Sequence, residues 1–174
     1  MKIGLFYATD TGNTRTVAKM IKQQLAEGEI KLYNVTKASA EDLEGCDALI
    51  FGTPTLGDGE LPETLEAFLP TLESADLNGK PVALFGLGDQ INYPKEFVDA
   101  LGILYRKLKK LGAEFNGFWP LDGYKFEKSR AVVDGKFVGL VIDQDNQEEL
   151  TEGRVSAWVK QVKPVLLSAV AVAG

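Results

Sequence analysis

The sequence of 174 residues contains no histidine and only one cysteine, Cys46. A chain with one thiol and no imidazole cannot form an intrachain disulfide. It also cannot supply the Cys and His ligands of a zinc site, or the cysteines of an iron–sulfur cluster. A Ser-His or Cys-His nucleophile pair is excluded for the same reason. If the protein carries out redox chemistry, that chemistry must come from a bound organic cofactor.

Long apolar runs and an excess of positive charge are missing as well. No stretch approaches the about 20 apolar residues that a membrane span needs, and the first residues form a strand pattern rather than a signal peptide. The net charge of −6 opposes binding to nucleic acid or anionic membranes and favours basic protein partners. We therefore expect a monomeric, cytoplasmic protein without nucleic-acid or membrane partners.

Strand-like and helical patterns alternate along the chain. Apolar strands are expected near residues 2–8, 30–35, 47–52, 81–86, 114–119 and 137–142, and helices near 12–27, 63–72, 94–111 and 151–167. This alternation predicts an α/β fold with a doubly wound parallel sheet that is covered by helices on both faces. In such sheets ligands bind beyond the carboxyl ends of the strands. The segments to inspect are therefore TDTGNT (9–14), TPTLGDGE (53–60) and GLGDQINY (86–93).

The first of these exits has the properties of a phosphate site. Gly12 permits a backbone conformation closed to most residues, so that successive amides of residues 10–14 can point at one spot beside a helix N-terminus. The hydroxyls of Thr9, Thr11 and Thr14 add further donors. No lysine follows the glycine, which excludes a nucleoside-triphosphate P-loop. Amides and hydroxyls suit a phosphate that is held rather than transferred, and a plain helix N-cap is the alternative.

The other two exits have features that suit a flat ligand. Gly57 and Gly59 bracket an aspartate and let the backbone rotate, while Leu56 offers an apolar surface. In the third exit Tyr93 can stack on an aromatic ring, although the dinucleotide fingerprint is incomplete because Ile91 occupies its last glycine position. Either exit alone is compatible with an ordinary turn. Together with the phosphate cradle they predict a site for a phosphorylated ring.

Five motifs in order resemble those of the flavodoxins: TDTGNT at 9–14, TPTLGDGEL at 53–61, FGLGDQ at 85–90 with Tyr93, DGKFVGL at 134–140 and DQDNQ at 143–147. The resemblance extends from residue 1 to about 165. It implies one flavodoxin-like domain over residues 1–174, with a five-stranded parallel sheet in the order 2-1-3-4-5. A segment at about 120–136 would split the fifth strand, as in the long-chain subgroup.

The cofactor implied by this resemblance is FMN, bound tightly but without a covalent link. The implied contacts are Thr9, Asp10, Thr11, Gly12, Asn13 and Thr14 at the phosphate, Thr53, Pro54, Thr55, Leu56, Gly57 and Asp58 on one side of the ring, Gly86, Leu87, Gly88, Asp89, Gln90 and Tyr93 on the other, and Asp145 at the ribityl chain.

Two positions depart from the commonest flavodoxin pattern. Many members have an aromatic residue, often tryptophan, where this chain has Leu56. The resemblance is then closest to flavodoxins associated with nitrogen fixation, and stacking on that face of the ring should be weaker. Asn92 stands where many long-chain members have glycine. Asparagine tolerates a left-handed backbone better than most residues, so we expect the loop to keep its shape.

The function implied is that of a low-potential one-electron carrier rather than an enzyme. FMN would shuttle between semiquinone and hydroquinone, with the Gly57 carbonyl stabilising the radical and nearby acids such as Asp58 opposing the anion. Its partners would be redox proteins of the ferredoxin–NADP reductase, nitrogenase reductase or pyruvate-flavodoxin oxidoreductase class. An FMN-dependent quinone reductase and a non-redox module for a phosphorylated ligand remain alternatives. A signalling receiver domain is disfavoured, because residues 51–53 offer no phosphate-accepting aspartate.

Overall fold

The computed structural model describes residues 2–9, 11–25 and 29–173, with side chains described as far as residue 169. Its strands are β1 (Ile3–Tyr7), β2 (Ile30–Asn34), β3 (Ala48–Pro54), β4 (Pro81–Leu87), β5 (Glu114–Asn116), β6 (Val132–Val133), β7 (Lys136–Phe137) and β8 (Leu140–Ile142). Its helices are α1 (Asn13–Leu25), α2 (Ala40–Glu44), α3 (Glu63–Ser74), α4 (Asp99–Lys110) and α5 (Gln144–Ala173). In these described ranges no helix is long and apolar enough to cross a membrane.

The main sheet is parallel and follows the order β2-β1-β3-β4-β5. The fifth position is shared by two short strands: β5 pairs with residues 81–83 of β4, and β8 pairs with residues 85–87 of the same strand. The predicted doubly wound sheet with order 2-1-3-4-5 is therefore confirmed. Residues 117–139 lie between the two strands that share the fifth position, and they include the β6–β7 hairpin.

Successive side chains of each strand point to opposite sides of the sheet, and both faces are buried because helices pack on each of them. On one face Phe6 and Phe51 pack with the apolar sides of α2, α3 and α4. On the other face Leu5 and Ile50 pack with α1 and α5, and Trp158 of α5 is fully buried there. The two cores fix the strands, and so they fix the loops that leave the carboxyl ends of the strands.

Helix α4 begins later than its apolar periodicity predicts. The expected helix covered 94–111, but the structure has turns up to residue 98. The carbonyl of Pro94 accepts hydrogen bonds from the backbone N–H groups of Glu127 (2.7 Å) and Lys128 (3.0 Å), so it is not available to start a helix. Val98 has φ 48° and ψ 33°, which is a strained conformation for a β-branched residue.

Two other boundaries also differ from the expected ones, and one short helix was not expected. β5 ends at Asn116 rather than at 119, because Gly117 has φ 85° and leaves the extended region. α5 starts at Gln144 rather than at 151, with a non-helical residue at Gln147. The short helix α2 was not predicted, although its capping box, with Ser39 as the N-cap, is a recognisable signal.

Residues 117–139 pack on the body of the domain through aromatic rings. Tyr124 and Phe126 contact Phe97, and both also contact Phe137, with ring centroids 5.2–6.0 Å apart. The Tyr124 hydroxyl donates to the carbonyl of Val141 in β8 at 2.5 Å. The segment is therefore fixed both to β8 and to the turn that precedes α4.

Candidate functional site

A cleft of about 280 Å³ opens at the carboxyl ends of β1, β3, β4 and β8. It collects residues from all three strand exits that the sequence singled out, together with the residues that follow β8. Its lining consists of Thr11, Asn13, Thr14, Pro54, Thr55, Leu56, Leu87, Gly88, Asp89, Tyr93, Glu96, Val98, Gln144 and Asp145. Parallel strands place their carboxyl ends at one edge of the sheet, and the cleft lies at that edge.

One end of the cleft is formed by the start of α1. The turn before the helix needs a glycine, since Gly12 has φ 95° and its backbone N–H donates to the Thr9 hydroxyl at 3.0 Å. Thr11, Asn13 and Thr14 then line the cleft at the point where the first amides of the helix have no intrahelical acceptor. Thr9 and Gly12 shape the turn and do not line the cleft. Asp10 lies outside the described residues.

One wall comes from the exit of β3. Pro54, Thr55 and Leu56 line the cleft, and the Thr55 hydroxyl accepts a hydrogen bond from the first turn of α4, from the N–H of Ala100 at 3.3 Å. Beyond Leu56 the chain makes a tight turn, in which Leu56 and Glu60 exchange backbone hydrogen bonds of 3.0 and 2.7 Å.

Three predicted contacts of this exit do not line the cleft. Gly57 (φ 50°) and Asp58 are exposed in the turn beyond Leu56, and Thr53 is buried below the cleft. The prediction that these three residues touch FMN is therefore not supported by the shape of the cleft itself. Gly57 and Asp58 nevertheless directly follow the lining residue Leu56.

A second wall comes from the exit of β4. Leu87, Gly88, Asp89 and Tyr93 line it, and Tyr93 keeps 44% of its surface exposed. Asp89 shapes this loop by accepting hydrogen bonds from the backbone N–H groups of Ile91 (3.1 Å) and Asn92 (2.9 Å).

Asn92 supports this loop in a different way from the one expected. Among the described non-glycine residues, positive φ occurs only at Val98 and Asp134, so Asn92 does not use a left-handed backbone. Its side-chain amide instead donates to the Asp89 carboxylate at 2.7 Å.

Gly86 and Gln90, which were predicted as contacts, face away from the cleft. Gly86 packs on α4, where an added Cβ would lie 2.9 Å from the Leu101 Cβ. Gln90 is buried, and its side-chain amide donates to the Asp143 carboxylate at 2.7 Å. Asp143 is fully buried and accepts four further contacts of 3.0–3.1 Å, from the N–H of Gln90 and from the backbone and side chain of Asn146. This network connects the exits of β4 and β8.

The ionisable lining of the cleft is acidic. Within the described residues it contains the carboxylates Asp89, Glu96 and Asp145 but no lysine or arginine. Burial alone would raise the pKa of Asp89, but hydrogen bonds from Asn92, Asn146 and Ile91 outweigh burial and lower it. Burial, helped by the negative charges of Asp89 and Asp143, raises the pKa of Asp145. Any ligand in this cleft is therefore exposed to negative charge at the β4 and β8 exits.

Comparison with known proteins identifies the family. The family model described as Flavodoxin matches residues 5–158. The chain belongs to the flavodoxin family. It is 48% identical to a flavodoxin of Synechocystis sp. over 96% of this chain and 99% of the relative, and 49% identical to flavodoxin 1 of Salmonella typhimurium over 94% and 93%. The Fusobacterium nucleatum flavodoxin, whose crystal structure contains flavin mononucleotide, superposes with a TM-score of 0.89 at 36% identity over 94% of this chain and 97% of that chain.

Family membership confirms the resemblance seen in the motifs, while the long-chain subgroup and the link to nitrogen fixation stay predictions. Three residues that line the cleft of this flavodoxin were not among the predicted contacts: Glu96, Val98 and Gln144. Glu96 and Val98 lie inside the segment expected to be helical, so the sequence pattern gave no sign that they line the cleft. Gln144 adjoins Asp145, and the position of that pair directly after β8 was the available signal.

Proposed function

We propose that the protein is a one-electron carrier that holds FMN non-covalently in this cleft. The observation that carries the proposal is that one cleft joins the N-terminus of α1 to two side chains, Leu56 and Tyr93, that suit a flat ring. The family membership and the FMN-bound Fusobacterium relative support the choice of cofactor. When bound, FMN supplies chemistry that this chain lacks, because it accepts and releases electrons one at a time.

The residues at the α1 end fit a phosphate group. The free amides of the first helical turn and the hydroxyls of Thr11 and Thr14 are donors, and the positive end of the helix dipole favours an anion. An added Cβ at Gly12 would meet no atom within 4 Å, so the space above the turn is open. Held by neutral donors and without lysine, the phosphate serves as an anchor and not as a leaving group.

The residues around the ring would set its affinity for electrons. Asp89, Glu96 and Asp145 place negative charge in the cleft, which would disfavour additional negative charge on a bound ring and so lower the potential of its second electron. Leu56 would cover one face of the ring and Tyr93 the other. Since aliphatic groups lack the stacking energy of aromatic rings, the face at Leu56 is the more weakly held.

We further propose that the Gly57 carbonyl, in the turn directly after Leu56, would accept a hydrogen bond from bound FMN and so tune the potential of its first electron. An added Cβ at Gly57 would come no closer than 3.7 Å to the Glu60 carboxyl group, so space does not require a glycine here. The φ of 50° does favour glycine, and glycine lets the peptide rotate without a side-chain penalty. Gly57→Val should therefore shift the potential of the first electron and leave FMN bound, whereas an unchanged potential contradicts this role.

FMN affinity provides the sharpest test of the phosphate end. Thr14→Val removes one hydroxyl at nearly constant shape, and a hydrogen bond to a charged group contributes about 1.5–3 kcal/mol, or about 10- to 150-fold in affinity. We expect that loss for FMN in a fluorescence titration of the apoprotein and no loss for riboflavin, which lacks the phosphate. The control is Thr64→Val, which removes a hydroxyl that lies outside the cleft lining and has no hydrogen-bond partner among the described residues. Equal losses for FMN and riboflavin would refute the assignment.

The reaction type is tested on the FMN-loaded protein. Stepwise reduction should proceed in two resolved one-electron stages, and the protein alone should not oxidise NADPH in the presence of quinones. Sustained NADPH oxidation would instead favour the quinone reductase reading. If the protein takes up no FMN at all, a non-redox module that binds a phosphorylated ligand is the remaining alternative.

The partner and the subgroup are also part of the proposal. We assign the protein to the long-chain subgroup. From Leu56 we infer that it delivers electrons to a low-potential acceptor of the nitrogenase reductase class. Ferredoxin–NADP reductase and pyruvate-flavodoxin oxidoreductase would reduce it. Rates of electron transfer to each purified partner test this order, and a nitrogenase reductase that accepts no electrons would overturn it.

A monomeric, cytoplasmic protein remains the prediction, and the buried thiol of Cys46 is not exposed for cross-linking.

A further inference from the structure

Gln144 lines the cleft without belonging to its phosphate end or to the side chains that suit a ring. It is half-buried, it directly follows the buried Asp143, and it precedes Asp145, which also lines the cleft. Gln144 therefore places a neutral amide beside the carboxylate of Asp145. An amide supplies N–H donors, and a carboxylate supplies only acceptors, so the two side chains are complementary in hydrogen bonding.

The start of α5 enters the cleft on the same face of the sheet as α1. Val17 of α1 and Val155 of α5 lie in one core on that face, whereas the helices that follow Leu56 and Tyr93, α3 and α4, pack on the other face. Gln144 leaves a different strand exit from α1, however, because β3 and β4 lie between β1 and β8. In a ligand with its phosphate at α1 and its ring against Leu56 and Tyr93, the chain that joins phosphate to ring would pass Gln144.

The backbone on both sides of Gln144 is held by hydrogen bonds. The carbonyl of Ile142 accepts from the N–H of Gly88, which lines the cleft, at 3.1 Å. The carbonyl of Asp143 accepts from the N–H of Gln147 at 2.8 Å. Gln144 is therefore in place before any ligand arrives, which limits the entropy lost on binding.

The side chain of Gln144 is oriented by Thr151, seven positions along α5. Thr151 is only 2% exposed, and its hydroxyl donates to Oε1 of Gln144. The amide is thus held at its oxygen end. Within the residues that the structure describes, the Nε2 group of Gln144 makes no hydrogen bond. A donor without a partner therefore belongs to a residue that lines the cleft.

We propose that Gln144 donates a hydrogen bond from Nε2 to a hydroxyl of a polyhydroxylated chain, and that Thr151 is the positioning residue that orients the amide. The inference rests on the proposed FMN-binding function, because the ribityl chain of FMN is such a polyol. A hydroxyl both donates and accepts hydrogen bonds, so a neighbouring amide N–H and carboxylate can satisfy it completely. Gln144 and Asp145 form that pair directly after β8.

The bond between Gln144 and Thr151 also spans the irregular start of α5, where Gln147 has φ −135° and ψ 38°. A role limited to holding this turn would change the stability of the protein and leave its preference among ligands unaltered. A contact with the polyol chain would instead change affinity only for ligands that contain such a chain. Affinities for a series of flavins therefore separate the two roles.

The test measures the affinity of the apoprotein for three flavins by fluorescence titration. FMN carries a phosphate and a ribityl chain, riboflavin carries the ribityl chain alone, and lumiflavin carries neither. Gln144→Met keeps the length of the side chain and removes the amide. A hydrogen bond between neutral groups corresponds to about 2- to 12-fold in affinity. We expect that loss for both FMN and riboflavin and no loss for lumiflavin.

Three further variants complete the test. Thr151→Val keeps the shape of the side chain and frees the amide instead of removing it, so the affinity for FMN and riboflavin should fall by a smaller factor of about 2. Thr151→Ser keeps the hydroxyl and should restore the affinity of the wild type. The control Gln23→Met makes the same change on an exposed residue of α1 outside the cleft lining, and it should bind all three flavins as the wild type does.

The outcomes distinguish this contact from the alternatives. Unchanged affinities for FMN and riboflavin in Gln144→Met would overturn the proposal and leave the amide a structural role in α5. A loss for FMN alone would assign Gln144 to the phosphate end, and an equal loss for lumiflavin would indicate distortion of the whole cleft, so either result also overturns it. A loss in Thr151→Val that serine does not restore would refute the positioning role. A wild type that binds none of the three flavins would refute the proposed cofactor function instead, and the first titration reveals that case.

Discussion

Replacing Asp143 should damage the fold and the cleft together. Its carboxylate is fully buried and accepts from four donors, which are the backbone N–H groups and the side-chain amides of Gln90 and Asn146. Asp143→Ala leaves those donors without their acceptor. A buried unsatisfied donor costs about 1–3 kcal/mol. Since the two side-chain amides can turn to other partners, we expect a loss of about 3–5 kcal/mol in the free energy of unfolding.

The conservative variant Asp143→Asn separates loss of the acceptor from loss of volume. Asparagine keeps one acceptor oxygen but turns the other position into a donor, which then faces the N–H groups of Gln90 or Asn146. We expect a smaller loss of about 1–3 kcal/mol. FMN affinity should fall in both variants, because the network connects the exits of β4 and β8 that form one wall of the cleft.

Urea unfolding of the apoprotein, followed by circular dichroism, measures the stability change, and the slope against urea shows whether the transition stays two-state. The matched control is Asp145→Ala, two residues further along, whose side chain is exposed. Asp145 lacks this set of donors, so its loss should not destabilise the protein. If Asp143→Ala unfolds within about 0.5 kcal/mol of the wild type, the network does not hold the two exits together, and the reasoning is wrong.

Three further substitutions test other parts of the structure. Since burial and then the charge of Asp89 raise the pKa of Asp145, Asp145→Asn should raise the melting temperature of the apoprotein at neutral pH, and this gain should be lost as the pH falls towards 3.8, the ordinary value. Burial raises the pKa of Tyr124 from 10.0 to about 12, so the stability that its neutral hydroxyl contributes is present below pH 10 and lost as the pH rises towards 12. Tyr124→Phe should therefore abolish that alkaline decline in thermal unfolding. Gly102→Ala places a Cβ 2.3 Å from the Arg130 carbonyl oxygen and should cost about 1–3 kcal/mol in urea unfolding.

Each of these three substitutions has its own control or contradicting outcome. Gly153→Ala makes the same change in α5, where an added Cβ would meet nothing within 4 Å, and should stabilise by up to about 1 kcal/mol. A Gly102→Ala protein as stable as that control contradicts the close contact. A gain from Asp145→Asn that persists at low pH, or an alkaline decline that survives in Tyr124→Phe, contradicts the titration argument.

The position of the cleft could be predicted from sequence because it follows from topology. Continuously apolar strands that alternate with helices require a parallel sheet, and a parallel sheet places every strand exit at one edge. The polar and glycine-rich stretches after β1, β3 and β4 had to meet there, and the cleft lining contains residues from all three. Local chemistry was sufficient for this part of the site, since no long-range pairing beyond the order of the strands was needed.

The start of α4 could not be predicted from periodicity. Phe97, Leu101, Leu104 and Leu108 are all buried at helical spacing, although Phe97 precedes the helix. Phe97 is buried because its ring packs in the aromatic cluster of the segment between β5 and β8. The same pattern of burial thus arises from two different structures. The left-handed backbone of Val98 leaves no sequence signal either, since β-branched residues rarely adopt it.

Gln90 shows how a distant residue changes the role of a predicted contact. It follows Gly88 and Asp89, which line the cleft, and from spacing alone it belongs with them. Its amide turns inward because the Asp143 carboxylate, 53 positions away, requires donors once it is buried. The motif DQDNQ was visible in the sequence, but only the folded chain shows that its first aspartate serves the interior while Asp145 lines the cleft.

The strained backbone at Val98 connects the cleft to the segment between β5 and β8. Strain of this kind persists only where the surrounding structure fixes it. On one side an added Cβ at Gly59 would lie 2.8 Å from the Asp99 carboxylate and 3.1 Å from the Glu96 Cβ, so the turn after β3 packs directly on the turn before α4. On the other side Asp99 holds the N–H of Arg130. Both walls of the cleft therefore depend on the position of residues 94–99. Residues 127–130 in turn hold residues 94–99 in place. It follows that the segment between β5 and β8 cannot be only a partner surface, because the geometry of the cleft depends on it.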